Sequence, residues 1–189
     1  VLVAHHGLEL VSGGCTGRVH DHTWSELSQC ADSMGGEAMF HGVRVDRLLA
    51  ECIARYPQAE FTLDLKLNTG GDWWLYLHAI CARIAELHRI PGLNGRLLVE
   101  CQTADVLKVM ALEAPEVSTF LYVQEAAHAI TEAQALGCRG ITIQVGRLTA
   151  EQAQRIKAAG LELTVFGVDG PWSMRRALAL RPDRIQVDG

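Results

Sequence analysis

The chain has 189 residues, a net charge of −5, 49% hydrophobic content and 21% charged content. Acids and bases are interspersed, which excludes the basic footprint of a nucleic-acid binder and the polybasic patch of a membrane anchor. No run approaches the ~18 continuous apolar residues of a membrane span, and the length suits one globular domain that buries ~70% of its unfolded surface.

Val1 to His5 reads as a short strand. Gly13-Gly14-Cys15-Thr16-Gly17 is turn-rich but has neither the G-x-G-x-x-G nor the G-x-x-x-x-G-K-[ST] spacing, so a nucleotide-binding loop is not indicated. Thr23-Trp24-Ser25-Glu26-Leu27 has the pattern of a helix start, and residues before 46 together read as a hairpin and a loop. Val1-Leu2-Val3-Ala4 is too short and uncharged for a signal peptide, which places the protein in the cytoplasm. The six cysteines form no C-x-x-C pair and lie mostly in apolar patterns, so reduced core thiols are expected rather than a zinc or disulfide framework.

A helix–strand rhythm begins at residue 46. Leu48, Leu49, Cys52 and Ile53 recur at helical spacing before Pro57, and a strand over 61–66 follows. Asp72 is placed to cap a helix with a Leu77, Ile80, Ile84 and Leu87 stripe, which hands over at Pro91-Gly92 and Asn94-Gly95 to a strand from Arg96 to Glu100. Helices near 103–113 and 125–136 alternate with strands at 119–123 and 141–145. Thr149 and Gln152 form a capping box for a helix closed by Gly160, then come strand 161–168, a helix near 172–180 and strand 184–187. Six strands with crossovers of this length predict a parallel α/β sheet, either doubly wound or a (β/α)8 barrel; periodicity does not choose between them.

Within Phe61-Thr62-Leu63-Asp64-Leu65-Lys66, the even positions put a carboxylate and an ammonium on one face and the odd positions put apolar side chains on the other. A strand flanked by helices is usually buried on both sides, so the pair is read as chemical, with a structural ion pair as the plainer alternative. Trp73-Trp74-Leu75-Tyr76 follows at a helix start, where aromatics border a pocket or pack the helix on its sheet. His20-Asp21-His22 has the look of a metal cluster, although such loop histidines more often face solvent. Glu100, Asp169 and Asp188 stand at strand ends as secondary candidates, where acids also cap the following helix.

The run Thr16-Gly17-Arg18-Val19-x-Asp21-x-Thr23-x-x-Glu26-Leu27 resembles the glycerophosphodiester phosphodiesterase family. Leu63-Asp64-Leu65-Lys66 is similar to the family's I-E-I-K strand with Asp for Glu, and 161–169 and 184–188 resemble its last two strands, which normally carry W-T-V-N and T-D. The resemblance implies one domain over 1–189, a (β/α)8 TIM barrel here incomplete, with about six barrel strands plus an N-terminal hairpin or loop, lacking the first two strands and the last helix. It implies metal-dependent hydrolysis of a glycerophosphodiester to glycerol 3-phosphate and an alcohol. In these terms His5 is the acid/base, Asp64 a ligand of Mg²⁺ or Ca²⁺, and Lys66 a contact to substrate phosphate. The substrate is a small molecule, with no nucleic-acid partner and no stable membrane insertion. The H-R-G, E-N-T and E-x-D motifs are missing, and His6 stands where the family has Asp, so the chain alone is expected to be inactive. Two other readings remain: a catalytically silent homologue that binds a ligand or partner, and a metal-free phosphate-binding isomerase or lyase that would use Lys66.

Overall fold

A computed structural model describes residues 1–5, 7–10, 15–30, 42–67 and 72–187, which fall into two compact units. His6, Gly13-Gly14 and Asp188 lie outside the described residues. The first unit comprises Val1–Ala59 and Lys66–Asn94, the second Glu60–Leu65 and Gly95–Gly189.

In the first unit, β1 (Val3–Ala4) pairs antiparallel with β2 (Val43–Arg44), and Glu9 bridges Arg18 in the loop between them. The short helix α1 (Trp24–Cys30) starts where expected: Glu26 Oε2 accepts from the Thr23 amide at 2.7 Å and from its hydroxyl at 3.0 Å, while the Glu26 amide donates back to Thr23 Oγ1. Those bonds hold the Glu26 carboxyl below its usual range, the Thr23 amide foremost. Leu10, Leu27 and Cys30 are buried together, with Val3, Cys15, Val19 and Trp24 packed on them. Here the structure corrects the cysteine expectation. Cys15 and Cys30 form a disulfide across a sequence separation of 15, because β1, the turn and α1 bring their Cα atoms to 5.6 Å; Cys52, Cys81, Cys101 and Cys138 are free thiols.

Two further helices among the described residues belong to this unit. Helix α2 (Val45–Arg55) buries Val45 and Leu49. Helix α3 (Trp73–His88) begins at Asp72, whose side chain accepts from the Leu75 amide at 3.0 Å, and it buries the expected Leu77, Ile84 and Leu87 together with Cys81, Ala85 and His88.

The second unit is a six-stranded parallel sheet in sequence order: β3 (Phe61–Asp64), β4 (Leu97–Cys101), β5 (Ser118–Val123), β6 (Gly140–Gln144), β7 (Glu162–Val168) and β8 (Arg184–Val187). The crossovers from β4 onward carry α4 (Ala104–Glu113), α5 (Ala129–Ala135), α6 (Ala150–Ala158) and α7 (Pro171–Leu180). Helix α5 is shorter than its sequence pattern suggests, because His128 takes a positive φ of 65° and starts it late.

The sheet is strongly curled. In a flat sheet β4 and β8 would stand about 19 Å apart, four strand spacings of ~4.8 Å. Yet Gln186 Nε2 of β8 lies 2.8 Å from Glu100 Oε2 of β4, so the face that carries these side chains is the concave one. Register follows the same face across the sheet: Asp64 pairs with Glu100, Glu100 with Phe120, Tyr122 with Thr142, Thr142 with Thr164, and Gln144 with Phe166. The opposite face, with Val99, Leu121, Ile141, Ile143, Leu163 and Val165, is buried.

Candidate active site at the carboxyl ends of the strands

Each step from one strand to the next-but-one advances the concave side chains by two residues, the stagger of a closing barrel. Glu100, Thr142 and Gln186, from β4, β6 and β8, therefore share a level. Glu100 Oε2 accepts from Thr142 Oγ1 at 3.0 Å as well as from Gln186. Applied to β3, β5 and β7, the same step puts Asp64, Tyr122 and Phe166 on the next level toward the carboxyl ends. The Tyr122 and Phe166 rings stack there with centroids 5.1 Å apart. Below, Phe120 is buried and the Arg184 guanidinium lies 5.1 Å over its ring.

Asp64 is thus the last strand residue of β3, on the concave face. Thr62 and Asp64 are exposed and Phe61 and Leu63 half-buried, the alternation expected from the sequence. The ladder runs one bond further, from the Leu65 amide to the Glu100 carbonyl at 3.0 Å, and Lys66 follows beyond the strand, exposed, as the first residue of the other unit's second segment. His5, half-buried, also belongs to that first unit. Its Nδ1 lies 2.7 Å from the Gly7 carbonyl and 3.3 Å from the Gly7 amide, so the ring is held against that turn.

Glu100 differs most from its reading as a rim acid. It is only 4% exposed and lies inside the curl, beneath the Asp64 level. Asp169 has the structural role: its Oδ1 accepts from Ser173 Oγ at 3.0 Å, and that hydroxyl accepts from the Asp169 and Gly170 amides at the start of α7. His20 faces Asp21 at 3.4 Å, and His22 Nε2 lies 3.0 Å from the Thr16 carbonyl. Trp73 stacks on Tyr76 within α3.

Burial pushes the Cys101 thiol up, and the nearby Asp64 carboxylate adds to the shift, so this sulfur is inert at neutral pH. The carboxylate oxygens of Asp64 and Glu100, register-paired on β3 and β4, are the donor type a hard cation takes. Among the described residues no group of three or more His, Cys, Asp or Glu side chains could hold an ion. The sequence reading passed over Tyr122, Thr142, Phe166 and Gln186. Their signal was the two-residue period of each strand, which becomes informative only with the stagger between strands.

The model of the glycerophosphoryl diester phosphodiesterase family matches residues 1–189. The chain belongs to this family. Solved structures of similar fold include an Oleispira antarctica phosphodiesterase in complex with the product sn-glycerol-3-phosphate, 18% identical with a TM-score of 0.78 over 98% of this chain and 74% of that one. A glycerophosphodiester phosphodiesterase from Parabacteroides distasonis is 16% identical, with a TM-score of 0.77 over 98% and 73% of the two chains. One from Agrobacterium tumefaciens is 20% identical, with a TM-score of 0.73 over 100% and 78%. No curated protein matches by sequence. The curled sheet of this phosphodiesterase-family chain is accordingly an incomplete (β/α)8 barrel, and the doubly wound alternative is set aside.

Proposed function

We propose that the protein hydrolyses glycerophosphodiesters to glycerol 3-phosphate and an alcohol. Family membership supports this reading, and the observation that carries it is Asp64 at the carboxyl end of β3 on the concave face, where barrel enzymes keep their chemistry. Asp64 is assigned as one ligand of a divalent cation, Mg²⁺ or Ca²⁺, which when bound would neutralise charge developing on the phosphoryl oxygens. Lys66 is assigned to a phosphate oxygen as a point charge. His5, its ring held against Gly7, would move a proton at an attacking or leaving oxygen.

The test is cleavage of glycerophosphocholine by the natural protein with added Mg²⁺ or Ca²⁺. Asp64→Asn should lower kcat/KM at least ~100-fold while leaving the melting temperature unchanged, since the side chain is exposed. Unchanged turnover would make Asp64 structural. A second reading, a catalytically silent barrel, is favoured by the lack of a three-ligand group among the described residues. It predicts binding of glycerol 3-phosphate without turnover under any added cation.

No helix among the described residues is long and apolar enough to cross a membrane. Cytoplasmic placement belongs to the same reading and is tested at Cys15 and Cys30. In a reducing cytoplasm both should be trapped as alkylated thiols, whereas an intact bridge in the native extract would place the protein in an oxidising compartment.

A further inference from the structure

The proposed hydrolysis makes no use of the Cys15–Cys30 bridge, yet the bridge is tied to His5 through a short series of contacts in the first unit. Gly7, against which the His5 ring is held, leads into a small hairpin. There the Val19 amide donates to the Leu8 carbonyl and the Leu10 amide to the Gly17 carbonyl, both at 2.8 Å. Cys15 lies two residues before Gly17 and Cys30 ends α1, so the bridge fastens the hairpin to the helix. Little else does so. A hairpin of this size and a seven-residue helix are each too short to persist alone in water, and the buried part of the cluster between them is Leu10, Leu27 and Cys30. Val3 of β1, two residues before His5, packs on that same cluster.

The two sulfurs differ in access. Cys30 is 3% exposed and Cys15 is half-buried, so an incoming thiolate meets Cys15 first. Cys30 Sγ lies 3.1 Å from the Glu26 carbonyl, an acceptor in place for the S–H that reduction creates. Burial pushes the Cys101 and Cys138 thiols up, which makes them poor competitors in the exchange.

We infer that Cys15 and Cys30 form a thiol–disulfide exchange site whose closed form holds the His5 turn in place and whose reduced form releases it. A small dithiol attacks Cys15 as its thiolate: a mixed disulfide forms, the bridge breaks, and Cys30 leaves as a thiolate that takes up a proton. The second sulfur of the dithiol then displaces Cys15, so two electrons pass to the protein and the reagent ends as a cyclic disulfide. A low-molecular-weight disulfide such as oxidised glutathione closes the bridge again and is itself reduced to two thiols. Opening the bridge returns loop-closure entropy to the segment and leaves the small cluster to hold it, so local opening reaches the Gly7 turn. The effect on turnover rests on the proposed hydrolysis, whereas the effect on the segment does not.

The experiment poises the natural protein with dithiothreitol or with oxidised glutathione and maps alkylated cysteines by mass. It then compares the two states, and a Cys15→Ser/Cys30→Ser variant, by amide hydrogen exchange and by hydrolysis of glycerophosphocholine with added Mg²⁺. Reduction should speed exchange at the Leu10, Val19 and Leu27 amides at least about tenfold while Leu121 and Ile141 in the sheet keep their rates. It should lower kcat about fivefold, and oxidised glutathione should restore both readings. The double variant should match the reduced protein and ignore both reagents. Cysteines that stay alkylatable under excess oxidised glutathione overturn the site. Equal exchange in the two states, or a kcat within about twofold despite faster exchange, overturns the link to His5 while the hydrolase reading stands. A protein that cleaves nothing in either state overturns the hydrolase reading, and amide exchange alone then decides the bridge.

Discussion

Glu100 keeps a carboxylate almost wholly out of solvent, and its Oε2 is gripped by two neutral donors from strands on either side of β7. Charge-assisted hydrogen bonds of this kind matter most through the cost of losing a partner. Thr142→Val keeps the volume and removes the hydroxyl, so it should destabilise the protein by about 1–3 kcal/mol in urea unfolding, with Gln186→Leu behaving alike. A neutral outcome for both would mean that other contacts carry the Glu100 charge. The sequence showed that Glu100 is an acid near a strand end, pointing by position toward the same rim as Asp64. What it hid was depth: the side chain reaches two strands that are remote in sequence, β6 and β8, and only their stagger turns a rim acid into an interior one. His5, Asp64 and Lys66 could be singled out because each sits in a local motif, whereas Tyr122 and Phe166 become a pair only after the chain has curled.

At the scale of elements, legibility followed local chemistry. The box at Thr149 formed as its spacing predicted: Thr149 Oγ1 accepts from the Gln152 amide at 3.2 Å, and Gln152 Oε1 accepts from the Thr149 amide at 2.9 Å. Thr149→Ala should cost about 1 kcal/mol of unfolding free energy, and Thr149→Ser should recover most of it. Asp72, Gly137 and Gly160 also ended or began helices where the sequence placed them, the two glycines with φ of +67° and +79°. The failures were at segments without such signals. Helix α5 was read to start four residues too early because Glu125-Ala126-Ala127 suits a helix locally, and nothing nearby announces the positive φ of His128. The Cys15–Cys30 bridge was missed for a similar reason. A disulfide is decided by Cα separation, and here a turn and a helix set that distance, neither of which the cysteine spacing encodes.

At the scale of the whole second unit, the amino ends of the strands are joined by a closed ring of charges. Arg139 donates to Glu162 at 2.8 Å and to Glu60 at 3.4 Å, and Arg184 donates to Glu60 at 2.6 Å and to the other oxygen of Glu162. The Arg184 bond foremost holds the Glu60 carboxyl below its usual range. Burial pushes Glu162 up, but the hydrogen bonds from Arg184 and Arg139 outweigh it and leave it lowered too. Both folded values lie below the unfolded ones, so the stabilisation is complete above the ordinary carboxylate range and is lost as pH falls through the depressed values. Unfolding free energy should therefore decline on acidification below about pH 4, and Glu162→Gln should flatten that decline while costing roughly 1 kcal/mol at pH 7, a figure discounted for solvent screening. A pH profile identical to wild type would remove the ring from the account of acid stability.

The Glu60–Arg184 contact spans 124 positions. During synthesis at 5–20 residues per second, Glu60 emerges roughly 6–25 s before the arginine that will meet it. Five strands, β3 to β7, are made in that interval, and each after the first is able to pair with its predecessor before β3 and β8 are joined. The late partner thus works as a latch: the nascent sheet can grow outward from β3, but its curvature is secured only when β8 arrives, and until then the growing edge must be kept from pairing with other chains.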